Sequence, residues 1–361
     1  MQCSIAENSR SHYGPMNFYT LDPLRDERWD ALTVSHPRAS VFHEKGWLRS
    51  LAKTYGYRPF ALTSTPGTGP LADGIVFCEV ASRITGTRLA SLPFSDHAEP
   101  LLNDVSYQLR LKQWVREACE QNKWKYVELR PISWETDRGS SLVPSQSFWL
   151  HFLDLSPPLQ VLSRNLHKDC ILRRIRHAEK ERLTYERGGS NRLLCTFYKL
   201  LTITRRRHHL LPQPRDWFSN LMTEMNPRPE IRLVSKDGIP LAAIFTLRHR
   251  STVVYKYGCS DERFHHLGGM PLLFWKLIEE SKYEGVDRID LGRTDLENKG
   301  LMEFKDRLGA SRRRIDYLRY SQAQSKNWIE LSRLAPLRGL FSLLPDELSS
   351  PMGRLVYRHF G

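Results

Sequence analysis

The chain has 361 residues, of which 40 % are hydrophobic and 11 % aromatic, and it carries a net charge of +14. This composition excludes a disordered polymer, and no apolar run approaches the ~20 residues that a membrane helix needs. The opening MQCSIAENSRSHYGPM lacks the layout of a signal peptide, so export is not expected, and six scattered cysteines without a CxxC pair read as reduced thiols of a cytoplasmic protein.

At this length two domains are expected rather than one core. Residues 1–15 read as a flexible tail. Trp29, Leu32, Phe42, Trp47, Leu48 and Leu51 mark short helices. Strands are expected at Phe60–Thr63, Leu71–Ala81 and Arg88–Leu92, followed by a polar loop with Asp96 and His97. Leu101–Cys119 has helical spacing, and Tyr126–Leu129 and Phe148–Leu155 read as strands. Leu162, Leu166, Ile171, Ile175 and Ala178 recur on one helical face. A helix over 192–208 runs into Arg205-Arg206-Arg207, and another follows Pro214. Ile231–Val234 and Leu241–Arg248 flank Asp237-Gly238 as a β-hairpin.

The stretch Val253–Gly309 concentrates the polar chemistry. A strand over Val253–Tyr257 is expected to turn at Gly258 and lead to Gly268-Gly269. A helix begins near Pro271, carries Leu273, Leu277 and Ile278 inward, and fades near Gly285. Ile289 and Leu291 mark a short strand that Gly292 ends. Leu301, Phe304 and Leu308 then define a helix stopped by Gly309. A helix that starts beyond a glycine turn suits an anion such as a pyrophosphate, although an ordinary strand–turn–helix connection has the same appearance. Ile315–Tyr320 is the last expected strand, and residues 323–361 read as a helical tail. The two halves share one order: leading helices, an antiparallel meander, a long helix and a further strand.

Much of the positive charge lies in Arg173-Arg174-Ile175-Arg176, Arg205–Arg207 and Arg312–Arg314. Such clusters attract RNA, a nucleotide-linked precursor, a phosphate-bearing cofactor or an anionic membrane. They also fit a plain solvated surface.

Taken together, TRRRHHL, YKYGCSD, LLFW, DLGRT and GLMEFKDRLGA, with FHEKGWLRSLAKTYGYRPF and LPFSDHAEPLL in the first half, resemble the FemAB-like branch of the GNAT acyltransferase superfamily. The resemblance spans about residues 16–322. It implies an α/β (α+β) fold of two tandem GNAT-like domains, 16–155 and 156–322, each a mixed, mainly antiparallel sheet flanked by helices, with the active site in the second. It implies amide formation: an N-acyl- or aminoacyltransferase acting on an amine of a cell-wall peptidoglycan or exopolysaccharide precursor. No permanently bound cofactor is implied. The donor is a phosphate-bearing co-substrate (acyl-CoA, acyl carrier protein or aminoacyl-tRNA), so tRNA is one of the partners the resemblance allows. The long helical arm of some Fem enzymes is missing, and Arg263 to Gly269 departs in spacing from the acetyl-CoA loop.

Acyl transfer to an amine requires a neutral nucleophile, a polarised carbonyl and stabilisation of the oxyanion. Phe304-Lys305 matches the family pair whose lysine serves the transition state or the donor. With Phe304 buried, Lys305 would face the cleft. Arg207, with Arg205 second, matches a position tied to acceptor phosphates, where a guanidinium fork is suited; a helix C-cap is the plainer role. Tyr255 and Tyr257, two apart on a strand, are expected on one face and in the substrate groove, or alternatively in the core. Arg293 falls at a strand end beside the cleft. Arg263, Gly268 and Gly269 are the donor-binding candidates. Asp290 and Glu297 are candidate proton acceptors or structural acids. One groove between the halves is expected to hold Arg207, Tyr255, Tyr257, Arg293 and Lys305. With no spanning segment, weak docking to the anionic inner face of the membrane is also expected. A second reading, a non-catalytic basic protein whose GNAT-like shell binds RNA or an envelope-assembly partner, accounts for the charge but not for Phe304-Lys305 alongside Arg293 and the tyrosines.

Overall fold

The computed structural model describes residues 18–103, 106–134, 141–321 and 346–359. The expected 1–15 tail, and 323–345 of the expected C-terminal tail, lie outside these residues. In chain order the first part holds β1 (Tyr19–Leu21), α1 (Glu27–Ser35), α2 (Lys45–Tyr55), β2 (Arg58–Thr63), β3 (Ile75–Val80), β4 (Arg88–Ala90), α3 (Ser106–Gln121), β5 (Val127–Leu129) and β6 (Val143–Asp154). There follow α4 (Leu159–Asn165), α5 (Arg173–Lys180), β7 (Thr184–Gly188), α6 (Asn191–Arg207), α7 (Arg215–Glu224), β8 (Glu230–Lys236), β9 (Ile239–His249) and β10 (Thr252–Ser260). The last elements are α8 (Gly269–Tyr283), β11 (Arg288–Asp295), α9 (Lys299–Arg307), β12 (Ser311–Tyr320) and α10 (Asp346–Tyr357).

Local chemistry sets many of these ends. Ser190 caps α6 by accepting from the Leu193 amide, and Asn298 caps α9 by accepting from Leu301. The hairpin between β8 and β9 turns at Asp237 and Gly238, both at positive φ.

All twelve strands form one sheet in the order β1-β2-β3-β4-β5-β12-β6-β11-β10-β9-β8-β7. Each half is a six-stranded, GNAT-like array with a single parallel pair, β4 with β5 and β10 with β11. The halves exchange their final strands. β6 follows β5 in the chain yet pairs with β11, while β12 follows β11 yet pairs with β5. β6 and β12 pair with each other along the middle, from Ser311 opposite Phe152 to Arg319 opposite Val143. That pairing extends β12 back through Arg312–Arg314, four residues before the expected start at Ile315, because β6 satisfies the backbone there.

Two cores cover the faces of the second half. α5 and α8 bury Ile175, Leu273 and Leu277 against Ile289 and Leu291. On the opposite face Trp217, Phe197 and Phe245 share one core with Trp29, Phe42, Trp47 and Val76 of the first half. Each such side chain contributes about 1.5–3 kcal/mol of burial, so the halves are joined by apolar packing as well as by the sheet. Leu162, Leu166, Ile171, Ile175 and Ala178 do line one buried face.

Three expectations fail locally. β3 begins at Ile75, not Leu71. β10 runs through Gly258 to Ser260, and β11 runs through Gly292 to Asp295. Both glycines sit inside strands because something presses on the backbone. A Cβ at 258 would collide with the Tyr255 hydroxyl, and one at 292 would lie 3.3 Å from Asp96 Oδ2.

Candidate active site

β10 and β11 are parallel only from Thr252 opposite Arg288 to Val254 opposite Asp290. Each then shifts register against its outer neighbour, β10 between Tyr255 and Tyr257, β11 between Asp290 and Arg293. The two bulges pull the strands apart and re-aim their side chains. Gly292, at φ 71°, makes the β11 bulge possible.

Lys305 reaches this bulge from α9. Its Nζ donates to the Gly292 carbonyl at 2.9 Å, to Thr294 Oγ1 at 2.9 Å and to the Arg293 carbonyl at 3.2 Å. Only 2 % of the residue is exposed. Burial drives its pKa down to about 8, against the opposing pull of the Asp96 and Asp290 carboxylates. The expected arrangement on α9 is reversed: Phe304 is half-buried and Lys305 is the buried one. The cause is the set of acceptors exposed by the bulge, which compensates an ammonium at that depth. Phe304 meets Phe274 edge-on at 5.4 Å, and Phe274 meets Tyr255 at 4.9 Å.

The first half closes the gap with the loop carrying Asp96 and His97. Leu92 and Phe94 in this loop adopt positive φ, 61° and 62°, at a cost of order 1–3 kcal/mol each. Arg130 Nη1, donating to the Leu92 carbonyl at 2.8 Å, and Tyr317 Oη, donating to the Asp96 carbonyl at 2.8 Å, hold the loop in place. Lys256 Nζ lies 2.8 Å from Asp96 Oδ2 and is surrounded by the rings of Phe42, Trp47 and Tyr257. Burial raises the Asp96 pKa, but the Lys256 and Arg293 cations outweigh it and keep the carboxyl below its usual range. His97 Nε2 is 2.8 Å from Asp290 Oδ2, and Asp290 Oδ1 accepts from the Gly292 amide at 2.7 Å. The Arg293 guanidinium stacks on Phe148 at 4.2 Å and on Tyr317 at 5.1 Å, and its side chain makes no hydrogen bond among the described residues. Lys256, Phe148 and Tyr317 were missed from the sequence. The bulge that turns Lys256 inward leaves no signal in YKY.

The tyrosines separate. The β10 bulge puts Tyr255 with Phe274 on the α8 face and Tyr257 in the opposite core, where its hydroxyl accepts from Trp217 Nε1 at 2.8 Å. The single-face expectation assumed a regular strand and is corrected. Arg205 lies near enough to both for its charge to oppose the upward push of burial on their hydroxyls.

Beside the gap lies a second basic cluster. α8 is preceded by Gly268, φ 77°, whose missing Cβ lets it pack against the Arg174 carbonyl of α5. Arg207 Nη1 is 3.3 Å from His265 Nε2, and Arg174 Nη1 donates to the His265 carbonyl at 3.2 Å. Arg174, Arg207, His265, Gly268 and Gly269 thus meet at the N-terminal end of α8. Arg263 is instead engaged by Asp261 at 2.6 Å. Glu297 is exposed on the loop before α9.

A cavity of about 700 Å³ lies between the halves. His97 and Asp290 line it, with Arg38, Arg288, Arg313 and Arg314. The corresponding place in the first half is sealed. Glu128 there accepts from Arg130 Nε at 2.8 Å and from Arg319 Nε at 2.6 Å, with all three side chains buried.

Residues 167–306 match the family described as Acetyltransferase (GNAT) domain. In solved structures the fold is similar to that of FemX, at 14 % identity and a TM-score of 0.63, covering 91 % of this chain and 100 % of that one. It is also similar to a tandem GNAT protein from the clavulanic acid biosynthesis pathway, at 13 % identity and a TM-score of 0.53, covering 86 % and 99 % of the two chains. The C-terminal domain of a candidate lysylphosphatidylglycerol synthetase from Agrobacterium fabrum aligns at 12 % identity and a TM-score of 0.50, covering 87 % and 94 %. None of the curated proteins matches the sequence. The acetyltransferase match favours the enzyme over the non-catalytic reading.

Proposed function

We propose that this chain, an acyltransferase of the GNAT superfamily with the FemAB-like tandem fold, forms an amide between an acyl or aminoacyl group and the amine of a peptidoglycan or exopolysaccharide precursor. The observation that carries this reading is the Lys305 ammonium at the β11 bulge, where the parallel strands part. An acyl carbonyl entering the gap would develop its negative charge beside that cation. The longest of the three Lys305 hydrogen bonds, to the Arg293 carbonyl, is the one an oxyanion would displace. A preorganised donor of this kind contributes about 3–4 kcal/mol to the transition state. Arg293, stacked on two rings and without a side-chain hydrogen bond among the described residues, can orient the acyl group or the acceptor.

The donor's phosphates would rest at the start of α8, on the amides after Gly268 and on Arg207, with Arg205 behind; Arg174 and His265 complete the basic wall. This suits acyl-CoA, an acyl carrier protein or an aminoacyl-tRNA as co-substrate, with no permanent cofactor required. Arg263 is a poorer donor ligand, because Asp261 already holds it.

No helix among the described residues is long and apolar enough to cross a membrane. The exposed arginines of α5 and β12 support a cytoplasmic protein that touches an anionic membrane face, where lipid-linked acceptors lie. Sedimentation at low salt should show binding to vesicles containing phosphatidylglycerol and none to pure phosphatidylcholine; equal binding to both would refute this part.

A thermal-shift panel of acetyl-CoA, an acetylated acyl carrier protein and alanyl-tRNA tests the donor site. A ligand bound only by the folded state raises Tm by mass action, so at a hundredfold excess over Kd the stabilisation is about 2.7 kcal/mol. One donor should raise Tm, and the rise should be lost in Arg207→Ala. No shift with any of the three would count against the proposal.

A further inference from the structure

We propose that His97, oriented by Asp290, takes the proton from the acceptor amine, and that the acceptor reaches it through the arginine-rimmed cavity between the halves. This rests on the acyl-transfer reading above and adds the base and the acceptor's route.

Three observations support it. First, both oxygens of Asp290 are acceptors, one for the Gly292 amide and one for His97 Nε2. In the neutral imidazole the proton then sits on Nε2, and Nδ1 keeps a free lone pair. Second, Nδ1 is buried without a hydrogen-bond partner among the described residues, on a residue that is 4 % exposed. Such a nitrogen is costly to bury unless something else pairs with it. Third, His97 and Asp290 both line the cavity, and the gap holding Lys305 lies just past Asp290 along β11. An amine in the cavity and an acyl carbonyl in the gap would meet across the bulge.

The fold also fixes the ring. Phe42 packs against it edge-on at 5.2 Å, and the strained loop it belongs to is tied to Arg130 and Tyr317. The ionisable groups acting on it are Asp96 and Glu99 of its own loop, His43 of the 41–43 turn and Asp290 of β11. His43 is held neutral, its pKa driven to about 3 by burial, so it adds no competing charge at neutral pH.

The step balances without a further reactant. The amine lone pair forms the new C–N bond and pushes the carbonyl π pair onto oxygen beside Lys305; as the carbonyl re-forms, the C–S or C–O bond to the donor breaks and its electron pair leaves on sulfur or oxygen. One N–H proton passes to His97 Nδ1 and then to the departing thiolate or alkoxide, which returns the imidazole to its neutral form. The rim indicates the kind of amine. Arg288 and Arg313 form no salt bridge among the described residues, Arg38 acts on the Glu99 carboxylate of the same lining, and Arg313 donates only to Ser133 Oγ at 3.1 Å. An acceptor that carries a phosphate or carboxylate as well as its amine fits this charge.

The test compares two acceptors with acetyl-CoA, acetylated acyl carrier protein and alanyl-tRNA as donors. Glucosamine 6-phosphate and hydroxylamine must each lose one N–H proton, but hydroxylamine is the weaker base, so its adduct is the more acidic and sheds that proton to water without a base. His97→Gln should lose about 10²-fold or more in transfer to the sugar amine and keep hydroxamate formation within a few-fold. The retained reaction itself shows that the variant is folded, and Asp290→Asn should give the same split if His97→Gln does not fold. Arg313→Gln should raise KM for the phosphorylated sugar and not for glucosamine. Equal loss with both acceptors in a folded variant, or no loss with either, overturns the inference alone. Hydroxamate from the wild type without amide from either sugar does the same. Neither product from the wild type with any donor overturns the acyl-transfer reading and this inference with it.

Discussion

Lys305 shows how far residue-scale reasoning from the sequence can go. The pair Phe304-Lys305 was legible as a family match, and the position proved chemically unusual: a buried ammonium with three oxygen acceptors. Its orientation was not legible, because helical geometry alone assigned the buried side to Phe304 and could not foresee the acceptors offered by a bulge on another element. The depressed pKa has two consequences. Between about 8 and the ordinary lysine value the unfolded chain holds a proton that the folded chain has released, so this group's contribution to stability rises with pH across that window. Lys305→Met should remove that part of the slope, measured by urea unfolding from pH 7.5 to 10.5. If catalysis needs the charged form, kcat/KM should fall as pH rises through about 8; a flat profile there would disconnect the ammonium from the rate.

At the scale of elements, the helices and most strands followed from apolar periodicity, and the end of α9 from Gly309. What escaped were the two bulges, since Gly258 and Gly292 read as strand ends in a sequence and are strand interiors in the fold. The functional geometry depends on them. Gly292→Ala would force a side chain onto φ 71° with Asp96 Oδ2 3.3 Å away, and should lower stability by at least about 1 kcal/mol, read as a fall in Tm. The sealed counterpart in the first half behaves differently. Burial pushes the Glu128 carboxyl up, but Arg130 and Arg319 hold it down to about 2. Its folded pKa is depressed, so its stabilisation is present above about 4.5 and is lost as pH falls from there toward 2. Glu128→Gln leaves two buried guanidinium groups uncompensated and should cost about 3–5 kcal/mol at neutral pH. The variant should also show a flatter loss of stability in acid.

For the whole molecule, the repeated order of elements was enough to suggest two similar halves, and the motif order pointed to the superfamily. The exchange of β6 and β12 was not visible, because strand pairing depends on which edges are free in three dimensions, and both strands follow their own half in the chain. A boundary placed at residue 155 therefore separates β6 from its partner β11. A fragment starting at 156 would expose the edge of β11 and half of the shared aromatic core. It should aggregate or remain unfolded by circular dichroism, while a fragment spanning 18–359 should melt in one cooperative transition. A well-folded, monomeric 156–321 fragment would contradict this view of the fold. The inter-half cavity and the Asp96–His97 loop share the same origin: the site is built from both halves, so residues about 200 positions apart had to be joined before it could be recognised.

The measurement that tests the central claim most directly is single-acceptor kinetics of Lys305→Ala and Lys305→Arg under saturating donor. If the ammonium stabilises the oxyanion at the parted strands, alanine should lower kcat and kcat/KM together by roughly 10² or more with the fold intact. Arginine should restore little, because its planar fork cannot place a compact charge among the Gly292, Arg293 and Thr294 oxygens. Wild-type turnover by a folded Lys305→Ala would contradict the account.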